Sequence, residues 1–133
     1  MNTTAEVTAA EVMSRSFVTA EPDDTIGETA AKMAARDVGS ALVVDSGRLI
    51  GVVTSRDVVR ALAARAHPSD ARIREFMSGP PVTATLETTA EEAARAMLAG
   101  GFHHLPVVEE GRPLGVIGFR SVQGALAALG AGF

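Results

Sequence analysis

The sequence has no cysteine, which removes disulfides and thiolate metal sites from consideration. Aromatic residues make up only 4% of it, with no tryptophan or tyrosine, while 47% of residues are hydrophobic. Such a chain has to build its core from Val, Leu, Ile, Ala and Met. No apolar run approaches the roughly 20 residues of a membrane-spanning helix. Basic residues are not in excess: 12 Lys and Arg face 16 Asp and Glu, a net charge of −4, which argues against a dedicated nucleic-acid binder. The opening MNTTAEVTAAEV carries Glu and no basic cluster, so it does not read as a secretory signal, and the cytoplasm is the expected compartment. There is no Ser/His/Asp or Cys/His set, no metal-ligand constellation and no Walker-type loop, so an enzyme is not expected.

What the chain does contain, it contains twice. Leu42 to Asp57, LVVDSGRLIGVVTSRD, reads as strand, tight turn, strand and helix start. Two β-branched-rich runs flank Ser46-Gly47, a hairpin signal because glycine accepts the positive φ of such turns. Thr54-Ser55-Arg56-Asp57 then places two hydroxyls, a cation and a carboxylate where backbone N–H groups are unpaired. At an offset of 64 residues, Leu105 to Ile117 repeats the hairpin as LPVVEEGRPLGVI. The offset holds from Glu11 and Glu75 to Leu62 and Leu126: Met13 matches Met77, Val18-Thr19-Ala20 matches Val82-Thr83-Ala84, Met33 matches Met97, and Arg56 matches Arg120. A repeat of this length sets the architecture before any other reading.

Local signals order the elements. Thr8 is a candidate N-cap for a short helix over 9–13, and Phe17-Val18-Thr19 reads as extended. Thr25-Ile26-Gly27-Glu28 is a capping box opening a helix with Ile26, Ala30, Met33 and Ala34 inward. After the hairpin, 56–66 reads as a helix with Val58, Val59 and Leu62 inward, broken by His67-Pro68-Ser69-Asp70. The second repeat follows suit. A short helix over 73–77 precedes extended Val82-Thr83. A capping box at Thr89-Ala90-Glu91-Glu92 opens a helix with Ala90, Ala94, Met97 and Leu98 inward, stopped by Gly100-Gly101. The second hairpin leads into a helix over 121–129. Each repeat is β-α-β-β-α, an α+β design with helices on one face of a small mixed sheet. The division is a tail (1–9), a first repeat (10–66), a linker (67–72) and a second repeat (73–133).

This order, with Gly51-Val52-Val53-Thr54-Ser55-Arg56-Asp57 closing the first hairpin, resembles the CBS domain, named after cystathionine β-synthase. The pair resembles a Bateman module, and the likeness covers about residues 10–130. Val12-Met13, Val18-Thr19, Leu105-Pro106-Val107-Val108 and the hairpin glycines Gly47, Gly51, Gly111 and Gly115 carry it. The resemblance implies two repeats packed as a pseudo-twofold pair, a regulatory role, clefts that take AMP, ATP or S-adenosylmethionine, and a flat dimer.

Two readings of the first junction stand side by side. Asp57 in the first turn of a helix suits the macrodipole, and Ser55 can be a plain N-cap. By resemblance, Thr54 and Asp57 instead hold ribose hydroxyls, with Arg56 beside them. The adenine-side wall would then come from the other repeat around Met77, Val82, Phe102 and His103. The phosphate end would lie near Gly39 and Ser40, where small residues let backbone N–H groups approach. In the second copy Gly118 stands for Thr54 and Ser121 for Asp57, so the two clefts should be unequal. The weaker one would have Met13, Val18 and Val38 as its wall, His103, His104 and Arg120 near the phosphates, and Ser121 in place of the carboxylate.

Other features have plainer readings. His103-His104 invites a metal, but neighbours at a strand start point to opposite faces and no third ligand is in view. Met33 and Met97 are core filler at helical spacing. Arg56, Arg60 and Arg65 form a solvated helix face. The expected function is a regulatory module that binds an adenosine-containing ligand between the repeats and requires no cofactor. The alternative is a nucleotide-free dimeric protein-interaction module. A homodimer is expected through the helices after the hairpins, whose Val59, Leu126 and Leu129 one pair of repeats leaves uncovered. An effector protein would carry the output, and neither nucleic acid nor membrane is expected as a partner.

Overall fold

A computed structural model describes residues 6–128. In chain order its elements are α1 (Ala9–Val12), β1 (Val18–Ala20), α2 (Ile26–Arg36), β2 (Ser40–Asp45), β3 (Arg48–Thr54), α3 (Ser55–Ala63), α4 (Ile73–Phe76), α5 (Ala90–Gly100), β4 (His104–Glu109), β5 (Arg112–Gly118) and α6 (Phe119–Ala128). Both hairpins turn through two residues of positive φ, Ser46 (53°) with Gly47 (79°) and Glu110 (51°) with Gly111 (82°). That backbone matches the right-handed twist of the strands it joins. Both hairpins also slip register at the same place, between Val43 and Val44 and between Val107 and Val108.

The elements form two compact units: residues 16–81, and the stretch up to Arg15 together with Val82 onward. This partition differs from the sequence repeat, and two glycines explain how. Ser78 exchanges both backbone hydrogen bonds with Val52, each at 2.9 Å, which lays Met77-Ser78 across the first hairpin. A Cβ on Gly51 would sit 2.9 Å from the Met77 sulfur and 2.9 Å from the Ser78 carbonyl oxygen. Ser14 and Val116 make the same exchange at 2.8 and 3.0 Å, and a Cβ on Gly115 would lie 2.7 Å from the Met13 sulfur. Gly51 and Gly115 are thus glycine because another backbone crosses them.

In the 16–81 unit, β1 runs parallel to β2 and β2 antiparallel to β3. Thr25 caps α2, its hydroxyl accepting from the Glu28 N–H at 3.0 Å while the Glu28 carboxylate accepts from the Thr25 N–H at 2.9 Å. Ile26, Val43, Val53, Ala61 and Ile73 form the main core cluster, with Val18, Met33 and Ala41 in a smaller one. In the other unit β4 and β5 pair antiparallel over a core of Ala93, Ala94, Met97, Leu105, Val107, Ile117 and Val122.

Several expectations are corrected. Thr29, not Ala34, completes the inner face of α2, and Ala34 is exposed. On α3 the buried residues are Asp57 and Ala61, one helical turn apart. Val58 packs beside them, and Val59 (62% exposed) and Leu62 (53%) face outward. Leu98 is likewise exposed, because Ala90, Ala93, Ala94 and Met97 already fill the inner face of α5. Val82-Thr83 forms no strand; only Ala84 bridges to Val107, in parallel, leaving a two-stranded sheet there. The Leu126 side chain and Leu129, expected in a dimer face, lie outside the described residues, as do the first five residues of the tail. Among the described residues no helix is long and apolar enough to cross a membrane.

Candidate ligand-binding site

The junction of β3 and α3 is built by one side chain taking up the free N–H groups of a helix start. Thr54, not Ser55, is the N-cap, and Asp57 is the third helical residue. The Asp57 Oδ2 accepts from the Thr54 N–H at 2.9 Å and from the Thr54 hydroxyl at 3.1 Å, while the Thr54 Oγ1 accepts from the Asp57 N–H at 3.3 Å. The Asp57 Oδ1 accepts from the Arg60 Nη1 at 2.8 Å. Asp57 is 4% exposed, so its charge is held almost entirely by these partners.

Five of the sequence candidates meet here: Thr54 and Asp57 with Gly39, Ser40 and Arg56. Ser40 is buried and lies opposite Thr54 in the β2–β3 register. The Gly39 carbonyl accepts from the Ser55 N–H at 3.0 Å and from its hydroxyl at 3.4 Å. Arg56 sits on the same first turn and is exposed. Met77 is in the same unit, packed against the cluster that holds Val53 and Ala61. Val82, Phe102 and His103 belong to the other unit, where Val82 is exposed and Phe102 packs on the core.

The matching junction of β5 and α6 is built differently. Gly118 faces His104 across the hairpin and has open space where a Cβ would be. The Phe119 N–H donates to the His103 carbonyl at 3.0 Å, and the two rings meet edge to face with centroids 6.2 Å apart. A cavity of about 410 Å³ opens beside them, lined by His103, His104, Gly118, Phe119, Arg120 and Gln123. Burial, and then the neighbouring His103, hold the His104 imidazole below its usual pKa of 6.5, so it resists protonation.

Of the residues expected in a weaker cleft, His104 and Arg120 share this cavity, and Ser121 lies beside it, exposed. Met13 is in the same unit against Gly115, whereas Val18 and Val38 pack with Met33 and Ala41 in the other. Sequence reading passed over three participants. Arg60 was legible as a cation three residues after Asp57 on one helix. Gln123 was legible as a polar residue at the position matching Val59. Phe119 carried no such signal. Among the described residues there is no group of three His, Asp or Glu that could hold a metal ion.

The family model for the CBS domain matches residues 9–64 and 73–128. An uncharacterised 17.7 kDa protein of Acidianus ambivalens is 33% identical over 108 residues, covering 80% of this chain and 65% of that protein. The chain spans less than two thirds of the length of the curated relatives it matches first. Among solved structures, a CBS domain protein of Pyrobaculum aerophilum complexed with AMP is 26% identical, with a TM-score of 0.84, over 93% of this chain and 98% of that one. The cytosolic domain of the Mg2+ channel MgtE in complex with ATP is 31% identical, with a TM-score of 0.77, over 90% of this chain and 49% of that one.

Proposed function

The chain belongs to the CBS domain family, and we propose that it is a regulatory module that binds an adenosine-containing ligand of the AMP or ATP class through Thr54 and Asp57. The observation that carries this reading is the buried Asp57 carboxylate at the head of α3. A carboxylate oxygen has about two acceptor positions. Oδ2 uses both on Thr54, but Oδ1 has only Arg60, so one position remains for a ribose hydroxyl. A second hydroxyl requires Arg60 to leave, and its exposed side chain has room to do so. The AMP and ATP complexes of the two solved relatives support the ligand class. S-adenosylmethionine carries the same ribose diol. Output would pass to an effector protein.

Calorimetric titration with AMP, ATP and S-adenosylmethionine tests the reading. Binding by the wild type with a loss of about tenfold to a hundredfold in Asp57→Asn is expected, the worth of a charged hydrogen bond. Equal binding by Asp57→Asn contradicts the ribose assignment.

A second reading, a nucleotide-free homodimeric interaction module, is favoured by a different observation. Val59 and Leu62 lie exposed on one helix, a face that a second copy would cover. Sedimentation of the wild type as a dimer, and of Val59→Asp as a monomer, is the outcome this reading requires.

A further inference from the structure

We propose that Arg60 is a specificity-determining residue of the Asp57 site: it occupies the carboxylate of the unliganded chain and so penalises the second hydroxyl of a ribose. This role rests on the nucleotide reading above and concerns the same carboxylate. A carboxylate that is 4% exposed needs partners to hold its charge. Oδ2 has the Thr54 N–H and hydroxyl, at 2.9 and 3.1 Å, both part of the helix cap. Oδ1 has the Arg60 Nη1 at 2.8 Å, from one turn further along the same helix. The two oxygens are therefore held in different ways. The Thr54 contacts are built into the turn of the backbone, whereas the Arg60 side chain is 62% exposed and reaches in from solvent. Arg60 is the partner that can be exchanged without disturbing the fold.

The repeat supplies a second observation. At the offset of 64 residues Asp57 becomes Ser121 and Arg60 becomes Gly124, while Arg56 is kept as Arg120. The carboxylate and this arginine are lost together. Glycine is a poor residue inside a helix, and a Cβ on Gly124 would meet nothing within 4 Å, so packing does not call for it. Arg60 thus goes with the carboxylate and not with the helix. Its consequence for a ligand follows from the acceptor positions. Oδ1 keeps one position free beside Arg60, which takes one hydroxyl and leaves the bridge intact. A ribose presents two hydroxyls, and the second needs the position that Arg60 holds. A 2′-deoxy or 3′-deoxy nucleoside presents one and leaves Arg60 in place. Arg60 therefore narrows the advantage of ribose over deoxyribose that the bare carboxylate would give. Because its outer end is in water, salt weakens the bridge and with it the penalty.

The test is calorimetry on the whole chain with adenosine, 2′-deoxyadenosine and 3′-deoxyadenosine. None of the three carries a phosphate, so salt acts on the protein and not on the ligand's charge. Arg60→Ala is expected to tighten adenosine about threefold to tenfold and to leave both deoxynucleosides within about twofold of wild type, the worth of an ion pair with one exposed and one buried end. Arg60→Gln should follow Arg60→Ala, and Arg60→Lys, which keeps the charge, should keep the wild-type pattern. In the wild type, raising sodium chloride from about 0.05 to about 0.5 M should tighten adenosine toward its affinity for Arg60→Ala. The same salt change should not tighten adenosine in Arg60→Ala or either deoxynucleoside in the wild type. The salt series on wild type needs no substitution, so it decides the matter even where a variant folds poorly. An equal factor for all three nucleosides on replacing Arg60, weaker adenosine binding in Arg60→Ala, or the same salt response in wild type and Arg60→Ala overturns the proposal. If it falls while Asp57→Asn still loses adenosine, the nucleotide reading stands by itself. If adenosine binding does not depend on Asp57, both fall.

Discussion

The two hairpin-to-helix junctions have the same backbone plan and opposite electrostatics. The β3–α3 junction is closed on itself: a buried carboxylate serves the helix start, a threonine completes the box, and Arg60 takes the remaining oxygen. The β5–α6 junction is open, with a glycine where the cap would be and a cavity lined by two histidines and an arginine. The difference separates two ways of satisfying a helix start. One is fixed in the sequence and contributes to stability at all times. The other has no side-chain cap at the matching positions, and an open cavity lies beside it.

The largest contrast should appear on removing the side chain at the matched position. Asp57→Ala deletes three hydrogen bonds to a buried carboxylate and should cost about 2–3 kcal/mol of unfolding free energy in urea denaturation. Ser121→Ala, at an exposed position, should stay within about 0.5 kcal/mol of wild type. Comparable losses would mean that the two junctions are held in the same way.

The converse change should give a smaller gain. Gly118→Thr with Ser121→Asp transplants the capping box and should stabilise the protein by about 1 kcal/mol, read as an upward shift of the denaturation midpoint. No gain would show that the α6 start is already satisfied.

The pH response gives a third contrast, because only the open junction carries imidazoles. The folded-state pKa of His104 lies below its unfolded value of 6.5. Its contribution is therefore fully present above pH 6.5 and is lost as pH falls through the folded value, since the unfolded chain binds the proton first. Urea stability should decline on acidification below 6.5, and His104→Gln should flatten that part of the profile.

The smallest effect concerns Arg60. It is exposed at its outer end, so Arg60→Gln should cost less than about 1 kcal/mol. By freeing Oδ1 it should tighten adenosine binding severalfold in the same calorimetric titration. Weaker binding would mean that Arg60 holds the ligand rather than competing with it.

Much of this was legible in the sequence, for reasons that particular residues make clear. The hairpins follow from Ser46-Gly47 and Glu110-Gly111, whose turns are a local property of the backbone. The caps at Thr25 and Thr89 follow from an acid three residues on, whereas the same spacing from Thr54 to Asp57 was passed over in favour of Ser55. Burial on α3 was misread because Val59 and Leu62 are the obvious apolar residues, while the inward position belongs to Asp57, whose charge is neutralised by partners that hydropathy does not count. Val82-Thr83 was misread as extended because strand pairing is a tertiary property. The exchange of Met13 and Met77 between repeat and compact unit was invisible as packing, although Gly51 and Gly115 were singled out as hairpin glycines. The cavity was legible only in part. His103, His104 and Arg120 were named, but nothing in the sequence said that they surround open space.

The measurement that bears most directly on the two-junction account is residue-resolved NMR of the whole chain titrated with adenosine. The account predicts that adenosine moves the amide resonances of Thr54 to Asp57 and leaves Gly118 to Ser121 in place. Adenosine moving Gly118 to Ser121 while leaving Thr54 to Asp57 in place would contradict it.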